Sequence, residues 1–361
     1  MKEYVDLYGG FKDKTWERNI FMHRTLLDAD EQGRIFKAVD NSRIDGFIIR
    51  NGKVRGKGGA IACMGTSPLI SNTSLASNDA GGLFIALWSS ARVYKNIFVN
   101  SVCGDDAAAL FVGGQEHRYD APLDPLPPKD KFYVDIQNNM FIANRNPSNN
   151  SGVTRFTMES RGRFSNNVCA YNTGVYFQRC EAEIVNNTML ENFILIETKE
   201  GLGKNYVKNN IIWGTMDVDA PADFVANDIS EKFPGKNNIS KDPVFNNNLE
   251  KIVPLKVSVN NGALTTELFV SGLKYKPGEL VGRVVKTGDK WSVVKSNNGS
   301  DIILWGDLTG NLEYTLLPTF QLTSDSPCID AGVSLKDVPK DFLGNSRTNK
   351  TDIGAYEFQK N

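Results

Sequence analysis

The chain has 361 residues, enough for one large domain or two ordinary ones. Its 41 Lys and Arg residues against 42 Asp and Glu leave a net charge of −1, which argues against a nucleic-acid partner because such proteins carry a basic excess. No stretch approaches eighteen consecutive apolar residues, so we expect no transmembrane segment. Five Cys and two His argue against a disulfide framework and a His-rich zinc site. The 36 Asn and 32 Gly predict short strands with tight corners.

Residues 1–8 alternate like a β-strand and contain no apolar signal-peptide core. The protein is therefore either intracellular or secreted with its leader removed, and the strand-like opening favours the second alternative. Unpaired Cys residues do not oppose secretion, because a large hydrophobic core makes disulfides unnecessary. We expect a secreted or cell-surface monomer.

One short motif recurs along the chain: an Asn that follows Asn, Lys or Ser and usually precedes an apolar residue. The intervals between successive motifs are 24, 43, 28, 20 and 23 residues. A basic period of roughly 20–24 residues, lengthened by insertions, indicates a solenoid with one coil per repeat. The marker residues are Asn72, Asn96, Asn139, Asn167, Asn187 and Asn210.

Each coil contains runs of β-branched and aromatic residues bounded by Gly, Asn or Ser, which predict strands rather than helices. Examples are residues 82–88, 109–112, 174–178 and 193–197. Because strands stacked coil on coil form parallel sheets, we predict an all-β fold, a right-handed parallel β-helix. The marker Asn side chains should form a buried column in which each amide hydrogen-bonds to its neighbours.

The same register places opposite charges on neighbouring coils. Three pairs lie eight, six and four residues before the marker: Glu159 with Arg179, Arg161 with Glu181, and Arg163 with Glu183. One interpretation is a self-neutralising ladder, which is favoured because paired charges are usually structural. The other is a sugar-binding surface that uses Glu159, Arg161, Arg179 and Glu181 as substrate-binding residues.

Three regions follow from the change in pattern. Residues 1–249 are predicted as the β-helix, with clear coils to about Trp213 and a looser stretch at 216–248. Residues 250–316 alternate apolar and polar side chains at 256–259, 280–285, 291–294 and 302–305, with hairpin turns between them, and predict an inserted antiparallel β module. Residues 317–361 are expected to pack on the β-helix or close it.

Several segments resemble secreted right-handed β-helix proteins of the pectate-lyase-like superfamily, abundant in polysaccharide-degrading bacteria of the Bacteroides group. The matching segments are 5–11, 44–52, Asp242-Pro-Val-Phe245, Ser326-Pro-Cys-Ile-Asp-Ala-Gly332, Asp341…Gly344…Arg347 and Asp352-Ile-Gly-Ala-Tyr-Glu357. The resemblance covers almost the whole chain and implies secretion or surface display and carbohydrate work. It implies no single activity, because members include polysaccharide lyases, glycosidases and proteins of unassigned role. Asp330, Asp352 and Glu357 are expected to organise the C-terminal coil.

The densest polar group lies at residues 103–119. Asp105 and Asp106 precede a predicted strand, and a Pro-rich loop at 121–131 follows this group. Gly104-Asp-Asp resembles the Asp-Asp segment of polygalacturonases, although an ordinary turn of the repeat is an equal alternative. Paired carboxylates can act as acid and base or hold Ca²⁺, the one cofactor left open. The candidate catalytic residues are Asp105, Asp106, His117 and Arg118, with Glu116 and Tyr119 as substrate-binding residues.

Two functions remain open at this point. The first is a secreted carbohydrate-active enzyme, a polysaccharide lyase or glycoside hydrolase acting on an acidic or complex polysaccharide. The second is a non-catalytic surface protein that binds glycans or mediates adhesion. The polar cluster and the 121–131 loop favour the enzyme, whereas the paired charges and the incomplete catalytic signature favour the binding protein.

Overall fold

The computed structural model describes residues 1–20, 23, 25–104, 106–114, 132–148, 152–197, 204–219, 222–245, 250–260, 265–288, 290–310, 313–317, 319–348 and 350–359. These residues form thirty-one β-strands and no helix. No helix that could cross a membrane therefore occurs among them.

Twenty-four strands build the parallel part of the fold: β1 (Asp6–Tyr8), β2 (Thr25–Asp28), β3 (Phe36–Ala38), β4 (Arg43–Asp45), β5 (Phe47–Arg50), β6 (Ile61–Met64), β7 (Leu69–Ser71), β8 (Ser74–Ala76), β9 (Leu83–Ala86), β10 (Arg92–Tyr94), β11 (Ile97–Val99), β12 (Leu110–Gly113), β13 (Val134–Gln137), β14 (Met140–Ile142), β15 (Thr154–Thr157), β16 (Arg161–Ser165), β17 (Val168–Ala170), β18 (Gly174–Gln178), β19 (Glu181–Val185), β20 (Thr188–Glu197), β21 (Asn205–Lys208), β22 (Ile211–Asp219), β23 (Ala222–Val225) and β24 (Asp228–Ile229). The module adds β25 (Glu250–Ile252), β26 (Lys256–Asn260), β27 (Thr265–Phe269), β28 (Val284–Thr287), β29 (Lys290–Asn297), β30 (Asp301–Trp305) and β31 (Tyr314–Leu316).

About every third strand along the chain joins the same sheet, next to the strand of the preceding coil. This arrangement confirms the predicted parallel β-helix. Sheet 1 has nine parallel strands in the order β1-β4-β7-β10-β13-β16-β19-β21-β23. A second, fifteen-stranded sheet has two arms, one from β2 to β17 and one from β3 to β18. The arms meet at the long strand β20, which pairs with both β17 and β18. The module is a seven-stranded sheet with antiparallel pairing, as predicted.

An Asn ladder runs along the corner between sheet 1 and the first arm. The backbone N–H and the side-chain Nδ2 of Asn167 both donate to Oδ1 of Asn187, at 2.9 and 3.2 Å. The same pair of bonds joins each member to the next, in the order Asn96, Asn139, Asn167, Asn187, Asn210, Asn227 and Asn238. The predicted buried column is confirmed, and it continues past the last predicted marker.

Backbone conformation explains why the marker is so often a pair of Asn residues. The first residue of each pair lies in the left-handed region, with φ of 57° at Asn138, 51° at Asn166 and 55° at Asn186. Asn tolerates this conformation better than most residues because its short side chain hydrogen-bonds locally. The first Asn thus turns the corner, and the second joins the ladder.

One marker was assigned wrongly. Asn72 is the corner residue of its coil, with φ of 50°, and its Nδ2 donates to Asp45. The ladder position belongs to Thr73, whose N–H donates to Asn96 Oδ1 at 2.9 Å. The stretch after Trp213 was also described as looser than it is, because β23 and β24 add further strands to the parallel sheets.

A second ladder, which the repeat search did not find, runs along the next corner. Its members lie five residues after those of the first ladder, and each backbone N–H donates to the side-chain oxygen on the following coil. They are Asn78, Ser101, Asn144, Asn172 and Asn192. Two corners of each of these coils are therefore held by side-chain amides or a hydroxyl.

The interior of the coils is apolar and aromatic. Phe98 and Phe141 stack at 4.7 Å between ring centroids, and Phe156 and Phe177 lie 5.4 Å apart. All five Cys residues are free and buried, in agreement with the expected absence of a disulfide framework. Burying such side chains contributes about 1.5–3 kcal/mol each before the entropy of ordering is subtracted.

The first arm is apolar on its outer face as well. Val99, Met140 and Ile142 point away from the coil interior and pack against Val293 and Trp305 of the module. The C-terminal segment covers a neighbouring part of the same face, where Ala355 N–H donates to Thr188 Oγ1 at 3.0 Å. The module therefore shields apolar surface that the β-helix would otherwise expose.

The C-terminal motifs hold their segment against the Asn corner. Buried Arg347 pairs with Glu357 at 2.8 Å and donates to Asn166 Oδ1 at 2.9 Å. Asp352 accepts the backbone N–H of Asp330 and of Phe358. These contacts agree with the organising role expected for Asp352 and Glu357.

We expect Asn167→Leu to lower the free energy of unfolding by about 1–3 kcal/mol, because neighbouring ladder groups lose their partners while remaining buried. Asn238→Leu is the matched control, since Asn238 ends the ladder and is half-buried, and its cost should be smaller. Urea unfolding measures both. Equal costs for the two variants would contradict a cooperative buried ladder.

Candidate functional site

The outer face of sheet 1 carries the largest collection of charged and aromatic side chains on one described surface of the β-helix. Along β16 and β19 the side chains alternate between half-buried and buried, so every second residue points outward. We call this surface the charged groove. It consists of Tyr133, Asp135, Arg161, Arg163, Glu181, Glu183 and Tyr206.

Strand register brings side chains distant in sequence into one row. Asp135 lies beside Arg163, Arg163 beside Glu183, and Glu183 beside Tyr206 on successive parallel strands. Arg92 lies on the other side of Asp135. Directly opposed side chains on neighbouring strands are close enough to interact.

The predicted charge pairs form. Arg163 donates through Nε to Glu183 Oε2 at 2.9 Å, and Arg161 Nε lies 3.3 Å from Glu181 Oε2. Glu159 is buried and lies 3.9 Å from the Arg179 guanidinium, at the edge of the groove. The four residues expected to bind substrate, Glu159, Arg161, Arg179 and Glu181, are thus brought together as two ion pairs.

Two connected cavities lie in the charged groove. The smaller has a volume of about 120 Å³ and is lined by Tyr133, Arg161, Glu181, Glu183 and Tyr206, among others. The larger has a volume of about 300 Å³ and extends from Arg163, Glu183 and Tyr206 to Lys208 and residues 334–338. Because both include Glu183 and Tyr206, they form one depression that runs across the strands.

Asp135 is electrostatically unusual in this surface. Burial raises its pKa above the ordinary Asp value, and the nearby Glu183 carboxylate adds to the effect, while Arg163 and Arg92 oppose it. Its Oδ1 atom is buried and accepts no hydrogen bond from the described residues. Burial and the neighbouring Glu183 also raise the pKa of Tyr133. Asp135 is therefore a carboxyl group whose pKa lies above the ordinary Asp value.

The groove thus places Asp135, whose pKa is raised, and Glu183, which pairs with Arg163, on one face. Asp135 and Glu183 lie two strands apart, which places their Cα atoms about 10 Å apart at the usual strand spacing. Arg163 lies on the strand between them. The arrangement is compatible with acid-assisted cleavage of a glycosidic bond.

The candidate cluster at residues 103–119 is only partly described. Asp105, Glu116, His117, Arg118, Tyr119 and the loop 121–131 lie outside the described residues. Asp106 is described, and it is buried rather than exposed on the outer face. It is 4% exposed, pairs with Lys57, and lies 3.3 Å from Arg155 NH1. It also accepts the N–H of Ala107, which agrees with the alternative that this segment is a turn.

The cations beside Asp106 also contact an aromatic pair. Phe84 and Phe111 stack at 5.0 Å, and Lys57 Nζ lies 4.2 Å from the centroid of Phe111. These contacts hold the side chains of Lys57, Asp106 and Arg155 in place relative to one another. Their arrangement is that of a buried structural charge cluster.

No group of three or more Asp, Glu, His or Cys side chains that could hold a metal ion occurs in the described part of the chain. The open possibility of Ca²⁺ therefore gains no support from the described residues. The charged groove offers cations beside each of its carboxylates, which is a poor donor set for a divalent cation.

Sequence reasoning missed Tyr133, Asp135 and Tyr206, although the signal was present. The charge alignment was made for the coils of Asn167 and Asn187 only. The same count of four residues before the marker gives Asp135 for the coil of Asn139 and Tyr206 for that of Asn210. A count of six before Asn139 gives Tyr133.

Comparison with known proteins gives one weak structural similarity. No protein-family model matches the chain, and no curated protein matches it. One solved structure, described as the crystal structure of pectate lyase Pel9A, is similar with a TM-score of 0.40 and 15% sequence identity. The alignment covers 93% of this chain and 78% of the other.

We expect Asp106→Asn to lower the free energy of unfolding by about 1–3 kcal/mol, because Lys57 and Arg155 lose a buried counter-charge. Asp79→Asn is the matched control. Asp79 also accepts the N–H of the following residue and pairs with a lysine, Lys53, but its side chain is 55% exposed. Its loss should cost less than about 0.5 kcal/mol. If denaturant unfolding shows an unchanged free energy of unfolding for Asp106→Asn, the result would contradict a structural role for Asp106.

A second prediction concerns how the stability of the folded protein depends on pH. Since the pKa of Asp135 is raised in the folded state, the folded protein binds more protons than the unfolded chain between the two pKa values, and stability falls as pH rises through that range. We therefore expect Asp135→Asn to gain stability relative to wild type between pH 3 and pH 7. Urea unfolding at both pH values measures the difference. A change in the opposite direction would mean that Arg163 and Arg92 hold Asp135 as an anion.

Proposed function

We propose that the protein binds a polysaccharide along the charged groove and hydrolyses it, with Asp135 as general acid and Glu183 as general base. The observation that carries the proposal is the raised pKa of Asp135 beside a second carboxylate held by Arg163. Two carboxyl groups whose environments differ in this way are the usual requirement of glycoside hydrolysis.

The arginines of the groove already pair with carboxylates, and this favours hydrolysis over lyase elimination. An eliminating enzyme needs a base and a cation that offsets the uronate carboxylate. Arg163 already pairs with Glu183 and lies beside Asp135, and Arg161 pairs with Glu181. A uronate would therefore have to displace an existing carboxylate before either guanidinium could neutralise it.

The groove suits a complex glycan better than a strongly acidic one. Four cationic residues, Arg161, Arg163, Lys208 and Lys336, line its two cavities together with acidic Glu181, Glu183 and Asp337. The near balance of charge favours a chain with many hydroxyl groups and few carboxylates. Tyr133 and Tyr206 add aromatic surface at the inner end, where binding sites commonly use it. The proposal includes a location outside the cell, where such polymers occur.

A non-catalytic glycan-binding or adhesive role is the second candidate. It is favoured by the pairing of Arg161, Arg163 and Arg179 with glutamates on neighbouring coils. Such a surface is neutral and rigid, and it can bind a glycan by hydrogen bonds without any proton transfer. The two candidates share the groove and differ only in turnover.

The test incubates the protein with neutral and uronate-containing polysaccharides and measures new reducing ends and, separately, absorbance from unsaturated ends. We expect reducing ends without absorbance, and a loss of about 10²–10⁴-fold in kcat for Asp135→Asn and for Glu183→Gln. Glu267→Gln in the module is the matched control and should retain full activity, since Glu267 is exposed on β27.

Activity should also decline as pH rises through the raised pKa of Asp135, because the general acid must be protonated. Absorbance from unsaturated ends would show elimination and overturn hydrolysis. Glycan binding without turnover, weakened by the groove variants, would establish the second candidate instead.

A further inference from the structure

A cavity separate from the charged groove lies where the β-helix, the module and the C-terminal segment meet. Its volume is about 290 Å³. At a liquid share of about 30 Å³ per water molecule this is room for roughly ten waters, enough for a single-ring organic molecule. We call it the junction cavity. No part of the function proposed above uses it.

The junction cavity has apolar walls from all three parts of the chain. Ile48, Ile97 and Met140 contribute the outer face of the first arm, Trp305 comes from β30 of the module, and Phe342 from the C-terminal segment. Elsewhere this apolar outer face is covered by Val293 and Tyr356, among others. At the cavity the covering elements do not close over it, which leaves apolar surface available to a ligand.

The charged residues described in the lining of the cavity are all cationic. Lys95 and Lys295 are both lining residues, and the described lining contains no Asp or Glu. Lys295 Nζ lies 4.6 Å from the centroid of the Trp305 ring, so an ammonium group and an indole are presented together. A carboxylate is the complementary group, and desolvation in an apolar cavity strengthens its interaction with the lysines.

One further polar group indicates a hydrogen-bond donor on the ligand. Asn138 lines the cavity and is 4% exposed, while its Oδ1 atom accepts no hydrogen bond from the described residues. Its Nδ2 already donates to the carbonyl oxygen of Phe342 at 3.5 Å. A buried acceptor without a partner is costly, so a hydroxyl group that donates to it is favoured.

We propose that the junction cavity binds a small hydroxylated aromatic carboxylate. The aromatic ring occupies the apolar walls, the carboxylate faces Lys95 and Lys295, and the hydroxyl group donates to Asn138. A free sugar acid fits less well, because most of its hydroxyl groups would face Ile48, Ile97 and Met140 without partners.

The test measures binding of 4-hydroxyphenylacetate to the full chain by calorimetry, with thermal unfolding as a second readout. We expect saturable binding, a higher Tm, and a loss of about tenfold in affinity for Lys95→Met and for Lys295→Met. Lys232→Met is the matched control, because Lys232 is exposed beyond the last parallel strand, and it should bind like wild type. Ser74→Phe should fill the cavity and abolish binding.

Neutral 2-(4-hydroxyphenyl)ethanol should bind at least tenfold more weakly, and phenylacetate several-fold more weakly, than 4-hydroxyphenylacetate. No detectable binding of 4-hydroxyphenylacetate, equal binding of the neutral alcohol, or undiminished binding by the Lys95→Met/Lys295→Met double variant would overturn the proposal. Tighter binding of galacturonate would overturn it in favour of a sugar subsite. The lysine variants keep the test decisive should Ser74→Phe fail to fold.

Discussion

The fold depends on one repeated arrangement, a left-handed corner residue followed by a buried amide that bonds to its counterpart on the next coil. At each corner a backbone N–H points along the helix axis and has no strand partner, so an unmatched corner would bury an unsatisfied donor. The Asn side chain solves this by accepting the N–H and an Nδ2 of the preceding coil, as between Asn139 and Asn167. Stacking is therefore determined at the corners.

This constraint fixes the register of all three strand sets. Because the residue before each ladder Asn must adopt positive φ, the strands on either side cannot slip without moving the corner. A slip of one residue would also turn Phe98 and Phe141 outward and Val99 and Ile142 inward. The row of Asp135, Arg163 and Glu183 on sheet 1 depends on the same register, since each lies four residues before a ladder Asn.

The sequence predicts the features that depend on neighbouring residues, but not those that depend on contacts between residues distant in sequence. The Asn pairs are local signals, so the β-helix and its ladder could be predicted, while Asn72 was misplaced because Thr73 replaces the usual second Asn. The burial of Asp106 could not be predicted, because it depends on Lys57 and Arg155 of other coils. Lys57 lies 49 residues before Asp106 in the sequence, and Arg155 lies 49 residues after it. Asp135 was accessible to the alignment, but its raised pKa depends on burial that only the fold provides.

The three outer faces of the coils are unequal, and this inequality bears on where a polymer can bind. The outer face of the first arm is apolar and largely occupied by the module and the C-terminal segment. The outer face of the second arm carries Phe84, Phe111 and the Asp106 cluster, in which Lys57 and Arg155 both pair with Asp106. The outer face of sheet 1 combines an open depression with nearby Asp135, a carboxyl group whose pKa is raised. Covering one face with the module therefore matters for the proposed function, in which the sheet 1 face is the track for the polysaccharide.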